Sequence, residues 1–344
     1  VQFRVRGRLV RVARWGAAGR AVIDRTRSGD AVKIATYQAG DTRRHALVLG
    51  EQLHPLPADT VLLELLAGRP SQDSVLSRCG EPIAVSSVRL LPPVQPASVR
   101  DFITFEQHVD GAMAPSRGGQ VPEAWYEIPT FYFTNPHALI GAHDPVPVPP
   151  GCAVFDFELE VAAIIGWDGP NLTVEQAQEH ILGYSIFNDW SARDLQVHEM
   201  SIGLGPAKGK DTASTLGPYL VTPDELEPYR RGDRYDLSMS VALNGEVIGT
   251  DTLANSAWSF PELIAYASRG TLVRAGDVLG SGTCGNGCLV EFWGRSGEQF
   301  PPPLAIGDVV TMTVAELGTI ENTVVAGAPV HPVPPARRTV RSGS

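Results

Sequence analysis

Apolar and polar residues follow a period of two in parts of the chain, which is typical of β-strands. Strand signals lie in CAVFDFELEVAAIIG (152–166) and in DLSMSVALNGEVIGT (236–250). In the second segment Asn244 and Gly245 stand between two apolar runs, and an Asn-Gly pair there is typical of a tight hairpin turn. These patterns predict a strand over 152–166 and a hairpin over 236–250.

The helical signals are short. Thr173 with Gln176 and Ser259 with Glu262 have the spacing of capping boxes, which mark helix N-termini. The second box opens SFPELIAYASRG, a helix that is predicted to stop at Gly270. Because the strand signals do not alternate with helices, the pattern does not favour βαβ units. The sequence predicts a β-rich α+β fold.

Composition changes along the chain predict four regions. Residues 1–90 alternate apolar stretches with Gly and charged turns, and the Arg-rich start VQFRVRGRLVRVARWG favours a strand over a signal peptide. We assign 1–90 to a small β-rich domain, the Pro-rich stretch 91–100 to a linker, 101–330 to a catalytic domain and the tail 331–344 to disorder. No run approaches the ~18 apolar residues of a membrane-spanning helix.

Charge and cysteine content narrow the classes of partner. The net charge of −10 would repel a phosphate backbone, so nucleic acid is not expected as a partner, although a small anion stays possible. Of the four cysteines only Cys284 and Cys288 are close in sequence, and no second pair completes a zinc site. We interpret the cysteines as reduced thiols in a cytoplasmic protein.

Carboxylates form the main candidate for chemistry. In FDFELEV, Asp156, Glu158 and Glu160 fall on one face of a strand, with acids two positions apart separated by roughly 7 Å. Taken alone, this could be a solvent-exposed acidic face. Asp189 follows an apolar run that predicts a strand end, and Asp101 follows the linker.

The four acids Asp101, Glu158, Glu160 and Asp189 together would give an all-oxygen site. Such a site suits a hard cation (Mg²⁺, Mn²⁺ or Ca²⁺) and not zinc. Just after Asp189, Ser191 is interpreted as the cap of a helix.

Six segments in this order resemble the signature segments of the fumarylacetoacetate hydrolase family. They are DFITFEQH, FDFELEVAAIIG, NDWSARDLQ, GPAKGKD, FPELIAYASRG and GDVLGSGT, and the resemblance covers about residues 98 to 325. It implies a mixed β-sandwich roll, a homodimer, a divalent metal with Mg²⁺ expected first, and a small oxo-acid substrate. No membrane partner is implied.

Position by position, the resemblance assigns roles to individual residues. The four acids match the metal ligands of the family, and His108, Glu291 and Lys210 match its catalytic positions. Substrate-contacting positions fall on Arg193, Gln196, Arg117, Tyr132 and Thr283. Taken alone, His108 could be structural, Glu291 an exposed strand residue, and Lys210 and Arg193 solvated surface charges.

The chain also departs from the fumarylacetoacetases proper. Ile103 and Met200 stand where those enzymes carry tyrosines, and one residue is inserted before Lys210. A more apolar pocket indicates a different acyl group from that of fumarylacetoacetate.

The resemblance and the residues together predict a hydrolase that cleaves a carbon–carbon bond in a 1,3-dicarbonyl acid. A metal would polarise the carbonyl, and His108, oriented by Glu291, would deprotonate water. Lys210 and Arg193 would place positive charge near the substrate carboxylate or enolate oxygen. Decarboxylation, hydration and tautomerisation of related oxo acids are the alternatives, since a fold does not choose a reaction. A non-catalytic metal- or ligand-binding protein is a further alternative.

Overall fold

The computed structural model describes residues 2–5, 8–11, 31–117 and 120–337, without the side chains of residues 2–5, 8–11 and 113–117. The strands up to residue 147 are β1 (Gln2–Val5), β2 (Arg8–Arg11), β3 (Lys33–Ala39), β4 (Thr42–Leu49), β5 (Gln52–Pro55), β6 (Ile83–Ala84), β7 (Leu90–Leu91), β8 (Val99–Phe102), β9 (Phe131–Thr134), β10 (Leu139–Ile140) and β11 (Val146–Pro147). The later strands are β12 (Phe155–Asp156), β13 (Leu159–Ile165), β14 (Gly169–Pro170), β15 (Ile181–Asp189), β16 (Ser191–Ala192), β17 (Ser214–Val221), β18 (Arg230–Arg231), β19 (Arg234–Tyr235), β20 (Ser238–Leu243), β21 (Glu246–Thr252), β22 (Leu272–Val273), β23 (Val278–Gly280), β24 (Val309–Val314) and β25 (Gly318–Val325).

The helices are short, as the capping signals predict. They are α1 (Leu62–Ala67), α2 (Gln72–Leu76), α3 (Glu106–Arg117), α4 (Glu123–Glu127), α5 (Val174–Glu179), α6 (Arg193–Met200), α7 (Pro223–Leu226), α8 (Phe260–Ala267) and α9 (Leu289–Ser296). One-turn 3₁₀ helices cover Val85–Ser87, Pro136–Ala138, Glu227–Tyr229 and Leu253–Asn255. Strands outweigh helices, so the prediction of a β-rich α+β fold is confirmed.

Two mixed sheets form most of the structure. Within the described residues, the larger sheet follows the order β6-β5-β4-β3-β17-β15-β13-β23-β8-β9, and the smaller one follows β11-β25-β24-β20-β21. Most neighbours are antiparallel, whereas β23 with β8 and β11 with β25 are parallel. The sheets share one apolar core, to which β13 contributes Leu159 and Val161 and β24 contributes Met312. The arrangement is a mixed β-sandwich.

Strand β13 contributes residues to two apolar cores, one on each face of the larger sheet. It is buried along its whole length because β15 and β23 flank it, and central strands of this kind read as continuous apolar runs. Its residues Val161 and Ala163 join the core between the sheets, whereas Ala162 and Ile164 join a second core on the opposite face. This alternation follows from the period of two in a strand.

The second core combines residues of the N-terminal region with residues of the strands that follow it. Ile34 and Leu47 of β3 and β4 and Leu62 of α1 pack in it with Ala162 and Ile164. Strand β3 pairs directly with β17, so the strands of residues 33–91 extend the larger sheet. The division at residue 90 stays a prediction. In the proposed linker, β7 ends at Leu91 and β8 begins at Val99.

Several local predictions are confirmed. Strands β20 and β21 form the predicted hairpin, with positive φ at Asn244 (53°) and Gly245 (85°), as a tight turn of this kind requires. Thr173 and Ser259 each cap a helix through the predicted capping box. The helix that begins after Ser259 ends at Ala267, three residues before the predicted stop at Gly270.

One capping prediction is wrong. Ser191 does not cap a helix; it lies in β16, and its hydroxyl donates to the carbonyl of Asp189. Helix α6 begins at Arg193 after Ala192, which provides no side-chain cap. The strand-like pairing of Ser191 with Asp156 explains the difference.

At the C-terminus, residues 331–337 are exposed and have no regular secondary structure, and the rest of the predicted tail lies outside the described residues. Among the described helices, none combines the length and apolar character needed to cross a membrane.

Candidate active site

Adjacent strands of the larger sheet bring the predicted metal-binding acids together. Asp101 lies in β8 and Glu160 in β13, and β23 runs between these two strands with Gly280 opposite Asp101. A Cβ on Gly280 would lie 2.4 Å from Asp101 Oδ1 and 3.0 Å from Glu160 Oε2. The absence of a side chain at Gly280 therefore leaves room for both carboxylates.

The carboxylates form a buried cluster. Asp101, Glu158 and Glu160 each offer one oxygen, and these oxygens all lie within 4.8 Å of one another. Asp189 is also fully buried. Asp101 Oδ1, Glu160 Oε1 and Asp189 Oδ1 have no hydrogen-bond partner among the described residues. Buried acceptors normally have partners, so these three oxygens suit the role of cation ligands.

Lys210 and Tyr132 join the fourth acid to the others. The Lys210 ammonium donates to Asp189 Oδ2 at 2.8 Å and to Glu158 Oε2 at 2.5 Å. Tyr132, on β9 opposite Asp101, donates its hydroxyl to Asp101 Oδ2 at 2.9 Å and also to Asp189. Asp189 thus shares one donor with each of two other acids.

The pKa values of the clustered carboxyl groups are shifted in opposite directions. Burial, followed by the charge of Asp189, raises the pKa of Asp101 to about 7. Burial and the neighbouring carboxylates raise the pKa of Glu160 well above its usual range. Burial works in the same direction on Glu158, but Lys210 and a neighbouring arginine outweigh it and hold the pKa of Glu158 well below its usual range.

The cluster fits a hard divalent cation. All its donors are carboxylate oxygens, which Mg²⁺ and Mn²⁺ prefer and which do not select zinc. Asp101, Glu158, Glu160 and Asp189 would hold the ion. Its charge would offset the burial and the mutual repulsion that raise the pKa of Asp101 and of Glu160.

Arg193 faces inward from the start of α6 and binds protein carboxylates. Its Nε donates to Asp156 Oδ2 at 2.9 Å, and its Nη2 forms ion pairs at 2.8 Å with Asp156 Oδ2 and at 2.8 Å with Glu158 Oε1. It also donates to Gln196 Oε1 at 3.2 Å. The predicted substrate residues Arg193 and Gln196 are therefore in contact with each other, and Arg193 is in contact with a predicted metal ligand.

His108 and Glu291 come together between two helices. His108 lies near the start of α3, and Glu291 lies in α9, a buried helical position and not an exposed strand. His108 Nδ1 is 2.9 Å from Glu291 Oε1. The other oxygen, Oε2, accepts from the backbone N–H of Asn286 at 2.7 Å and from Arg295 at 3.2 Å. These contacts fix the carboxylate that orients the imidazole.

Close helix packing makes this contact possible. A Cβ on Gly111 of α3 would lie 3.2 Å from the Glu291 Cβ and 2.9 Å from an Arg295 nitrogen. A larger residue at this position would require Glu291 or α3 to shift by a few tenths of an ångström, so the close approach favours glycine.

The other predicted substrate residues lie in different parts of the structure. Thr283 is buried in the loop after β23. Tyr132 faces two predicted metal ligands. Arg117 ends α3, and its side chain lies outside the described residues.

Comparison with known proteins identifies the family. The sequence model described as fumarylacetoacetate (FAA) hydrolase C-terminal matches residues 98–325, which is more than half of the chain. The chain belongs to the fumarylacetoacetate hydrolase family. This confirms the resemblance that the six segments indicate.

Similar proteins carry several activities. The chain is 29% identical over 249 residues to the oxaloacetate tautomerase YisK of Bacillus subtilis, a match that covers 70% of this chain and 74% of that protein. The solved structure of a fumarylacetoacetate hydrolase from Exiguobacterium antarcticum matches with a TM-score of 0.67 and 25% identity, over 86% of this chain and 99% of that one. A 5-carboxymethyl-2-hydroxymuconate delta-isomerase from Mycobacterium smegmatis matches with a TM-score of 0.64 and 26% identity, over 86% and 99% of the chains.

Some residues at the site carry no role in the sequence prediction. Asp156 is singled out there only as part of an acidic face, yet it contacts Arg193 and the start of α9. Cys288 touches both His108 and Glu291. Glu199 binds the loop before Lys210. The motif spacing gives no signal for the last two, because their contacts join segments that are distant or irregular.

Proposed function

We propose that this chain is a divalent-metal-dependent hydrolase that cleaves a carbon–carbon bond in a 1,3-dicarbonyl acid, such as an acylpyruvate- or fumarylacetoacetate-like acid. The supporting observation is the buried contact of 2.9 Å between His108 Nδ1 and Glu291 Oε1. Against the effect of burial, the charges of Lys210, Arg193 and His108 lower the pKa of Glu158, so His108 acts electrostatically on the carboxylate cluster. An imidazole held by a carboxylate next to a metal site is suited to activate water.

A divalent ion held by the four acids would supply Lewis-acid polarisation of the substrate carbonyl. His108, with Nδ1 directed at Glu291, would take the proton of water through Nε2. Glu291 would hold the ring and stabilise the imidazolium that forms. The attacked carbonyl carbon would then lose the neighbouring carbon as an enolate, which is protonated to the second product.

The cationic residues have different proposed roles. The Lys210 ammonium has three N–H donors, and two of them serve Glu158 and Asp189. The third is available for an oxygen of the substrate. Arg193 forms ion pairs with Asp156 and Glu158, so its proposed role is to hold Glu158 in place. Direct substrate contacts are proposed for Tyr132, Thr283, Gln196 and Arg117.

The second candidate is keto–enol tautomerisation of an oxo acid such as oxaloacetate. The similarity to an oxaloacetate tautomerase over 74% of that protein favours it. Tautomerisation needs a residue that moves a proton next to a polarised carbonyl, but it needs no attack by water. The same carboxylate cluster and His108 could serve it.

The first test is a substrate panel. Purified protein is incubated with acylpyruvates and oxaloacetate in Mg²⁺, Mn²⁺ or EDTA, while the enol absorbance and the products are followed. Metal-dependent formation of two acids supports the hydrolase. Enol loss without cleavage rejects hydrolysis and supports the tautomerase.

The second test concerns His108. His108→Ala should lower kcat by about 10²- to 10⁴-fold, the range that general base catalysis contributes. The affinity for Mg²⁺, measured by calorimetry, should stay unchanged because His108 is not among the four acids. His143→Ala, at an exposed position, is the control. Full activity in His108→Ala would show that His108 is not the base.

The homodimer and the cytoplasmic location stay predictions. Light scattering of the purified chain should give about twice the protomer mass of 36.8 kDa. A mass of one protomer would contradict the predicted dimer.

A further inference from the structure

A second group of side chains that could hold a metal ion lies at the contact between α3 and α9. Cys288 Sγ is 3.5 Å from His108 Nδ1 and 3.4 Å from Glu291 Oε1, and the latter two atoms are 2.9 Å apart. All three residues are buried. We propose that His108, Cys288 and Glu291 form an inhibitory site for a borderline or soft divalent cation such as Zn²⁺, separate from the carboxylate cluster.

The spacing of the three donor atoms fits zinc. With Zn–S near 2.3 Å and Zn–N or Zn–O near 2.0–2.1 Å, neighbouring ligand atoms of a tetrahedral ion lie roughly 3.3–3.6 Å apart. Two of the three distances fall in that range, at 3.4 and 3.5 Å, and the third is shorter by a few tenths of an ångström. Three protein ligands leave one position of the tetrahedron for water or another small ligand.

The surroundings of Glu291 direct one oxygen to this site. Oε2 is held by the Asn286 N–H and by Arg295, so Oε1 is the oxygen that faces His108 and Cys288. Metal sites are commonly oriented by such hydrogen bonds to the ligands. The donor that would bind zinc is therefore already fixed in direction.

The Cys288 thiol is protected from oxidants but can still bind a cation. Burial, followed by the charge of Glu291, raises the pKa of the Cys288 thiol well above its usual range. Oxidants attack the thiolate, which is scarce here. A cation, in contrast, displaces the thiol proton as it binds and supplies the charge that stabilises the sulfur anion.

The two sites should select different ions. The carboxylate cluster offers only oxygen and suits hard ions, whereas nitrogen and sulfur ligands suit zinc and its borderline neighbours. Zinc at the second site would occupy His108 Nδ1 and Glu291 Oε1 and would break their contact. Inhibition rests on the proposed function, because it requires His108 to act as the base. Binding does not.

The test of binding uses Co²⁺ as a spectroscopic probe of the full chain. Co²⁺ is titrated in excess Mg²⁺, so that the carboxylate cluster is occupied, and the near-ultraviolet band of a cobalt–thiolate bond is recorded. The band requires a sulfur ligand and cannot arise from carboxylates. We expect the band in the wild-type chain and in Cys284→Ser, and its loss in Cys288→Ser. Cys284 is the matched control because it is also buried and lies four positions away.

Each outcome decides the proposal. Absence of the band in the wild-type chain, or a band that Cys288→Ser retains, overturns the site. Thermal unfolding of each variant shows whether it is folded, and absence of the band from the wild-type spectrum overturns the site even if Cys288→Ser does not fold. Zn²⁺ should displace Co²⁺ and abolish the band.

Inhibition by zinc is tested separately from metal binding. With the substrate identified by the panel, micromolar Zn²⁺ should inhibit the wild-type chain and Cys284→Ser in excess Mg²⁺ at least tenfold more strongly than Cys288→Ser, each relative to its own zinc-free rate. Equal inhibition of all three overturns the inhibitory role. If the cobalt band is present while His108→Ala stays fully active, the proposed function fails and the binding site stands.

Discussion

At the scale of the residue, Gly280 decides whether the acids can approach one another. Gly280→Ala would place a methyl group 2.4 Å from Asp101 Oδ1. The carboxylates are buried and cannot move away freely, so we expect a loss of stability of about 1–3 kcal/mol, as for other overpacked cores, and weaker Mg²⁺ binding. Chemical denaturation and calorimetry measure the two effects.

The control for this variant is Gly80→Ala. An added Cβ at Gly80 would have the Pro55 carbonyl oxygen 3.9 Å away, which is ordinary contact. This variant should keep wild-type stability and Mg²⁺ affinity. Wild-type Mg²⁺ affinity in Gly280→Ala would contradict the arrangement of Asp101 and Glu160.

At the scale of the element, Asp156 links three segments of the chain. From β12 it accepts the backbone N–H groups of Leu289 and Val290 at the start of α9, and it accepts from Arg193 at the start of α6. Helix α9 carries Glu291, and Arg193 contacts Glu158. One carboxylate therefore aligns the helix of the proposed catalytic pair with Glu158 of the carboxylate cluster.

Asp156→Asn should disturb both the position of α9, which carries Glu291, and the contact of Arg193 with Glu158. The amide cannot match the charge of Arg193 and presents an N–H₂ group to backbone donors, so we expect a loss of about 3–5 kcal/mol, as for other broken buried ion pairs. kcat should fall as well, because Glu291 loses its fixed position. Asp73→Asn, on the exposed face of α2, is the control. Urea unfolding and the rate with the identified substrate measure the effects; unchanged values for both would contradict the linking role.

Glu199, in the last turn of α6, holds the loop that leads to Lys210. Its carboxylate accepts the backbone N–H groups of Ala207, Lys208 and Gly209 at 2.7 to 3.0 Å. Burial acts to raise the pKa of Glu199, but these donors outweigh it and lower the pKa from its ordinary value of 4.5. The folded state therefore prefers the ionised form.

The sign of the pH dependence follows from this lowered pKa. The ionised carboxylate stabilises the folded chain fully above pH 4.5, and this contribution is lost as the pH falls through the lower pKa of the folded state. Glu199→Gln should cost about 1 kcal/mol at pH 7, since solvent screens a carboxylate that is partly exposed. The difference from wild type should shrink below pH 4.5. Urea unfolding at several pH values tests this, with exposed Glu298→Gln as control; a difference that is constant with pH would contradict the assignment.

At the scale of the whole molecule, the larger sheet joins the N-terminal strands to the strands of the site. Strand β3 pairs with β17, and Leu47 of β4 packs in the same core as Ile164 of β13. A defect in the N-terminal core should therefore reach the strands that carry the acids, because a shared core transmits the loss of packing.

Leu47→Ala tests this coupling. We expect a loss of about 2–5 kcal/mol, the usual range for a buried leucine, and faster amide hydrogen exchange in β15 as well as in β3 and β4. Val61→Ala, at a position that is 54% exposed, should change neither. Faster exchange confined to residues 31–91 would favour the predicted independent domain over a single cooperative unit.

The sequence determined the local features of this protein. The Asn244-Gly245 hairpin and the two capping boxes depend on neighbouring residues, so their patterns predict them correctly. The ordered family segments identified the family, and with it the fold, because together they are far more specific than any one motif. The carboxylate residue types also predicted a cation site with only oxygen ligands.

Only the tertiary structure decided how these pieces meet. Ser191 of β16 pairs with Asp156 of β12 and does not cap a helix as predicted. The contact between α3 and α9 places Cys288 beside His108 and Glu291. The pairing of β3 with β17 joined the N-terminal strands to the larger sheet. These features depend on segments that are far apart in the chain, and local propensity carries no information about which distant surfaces will pack together.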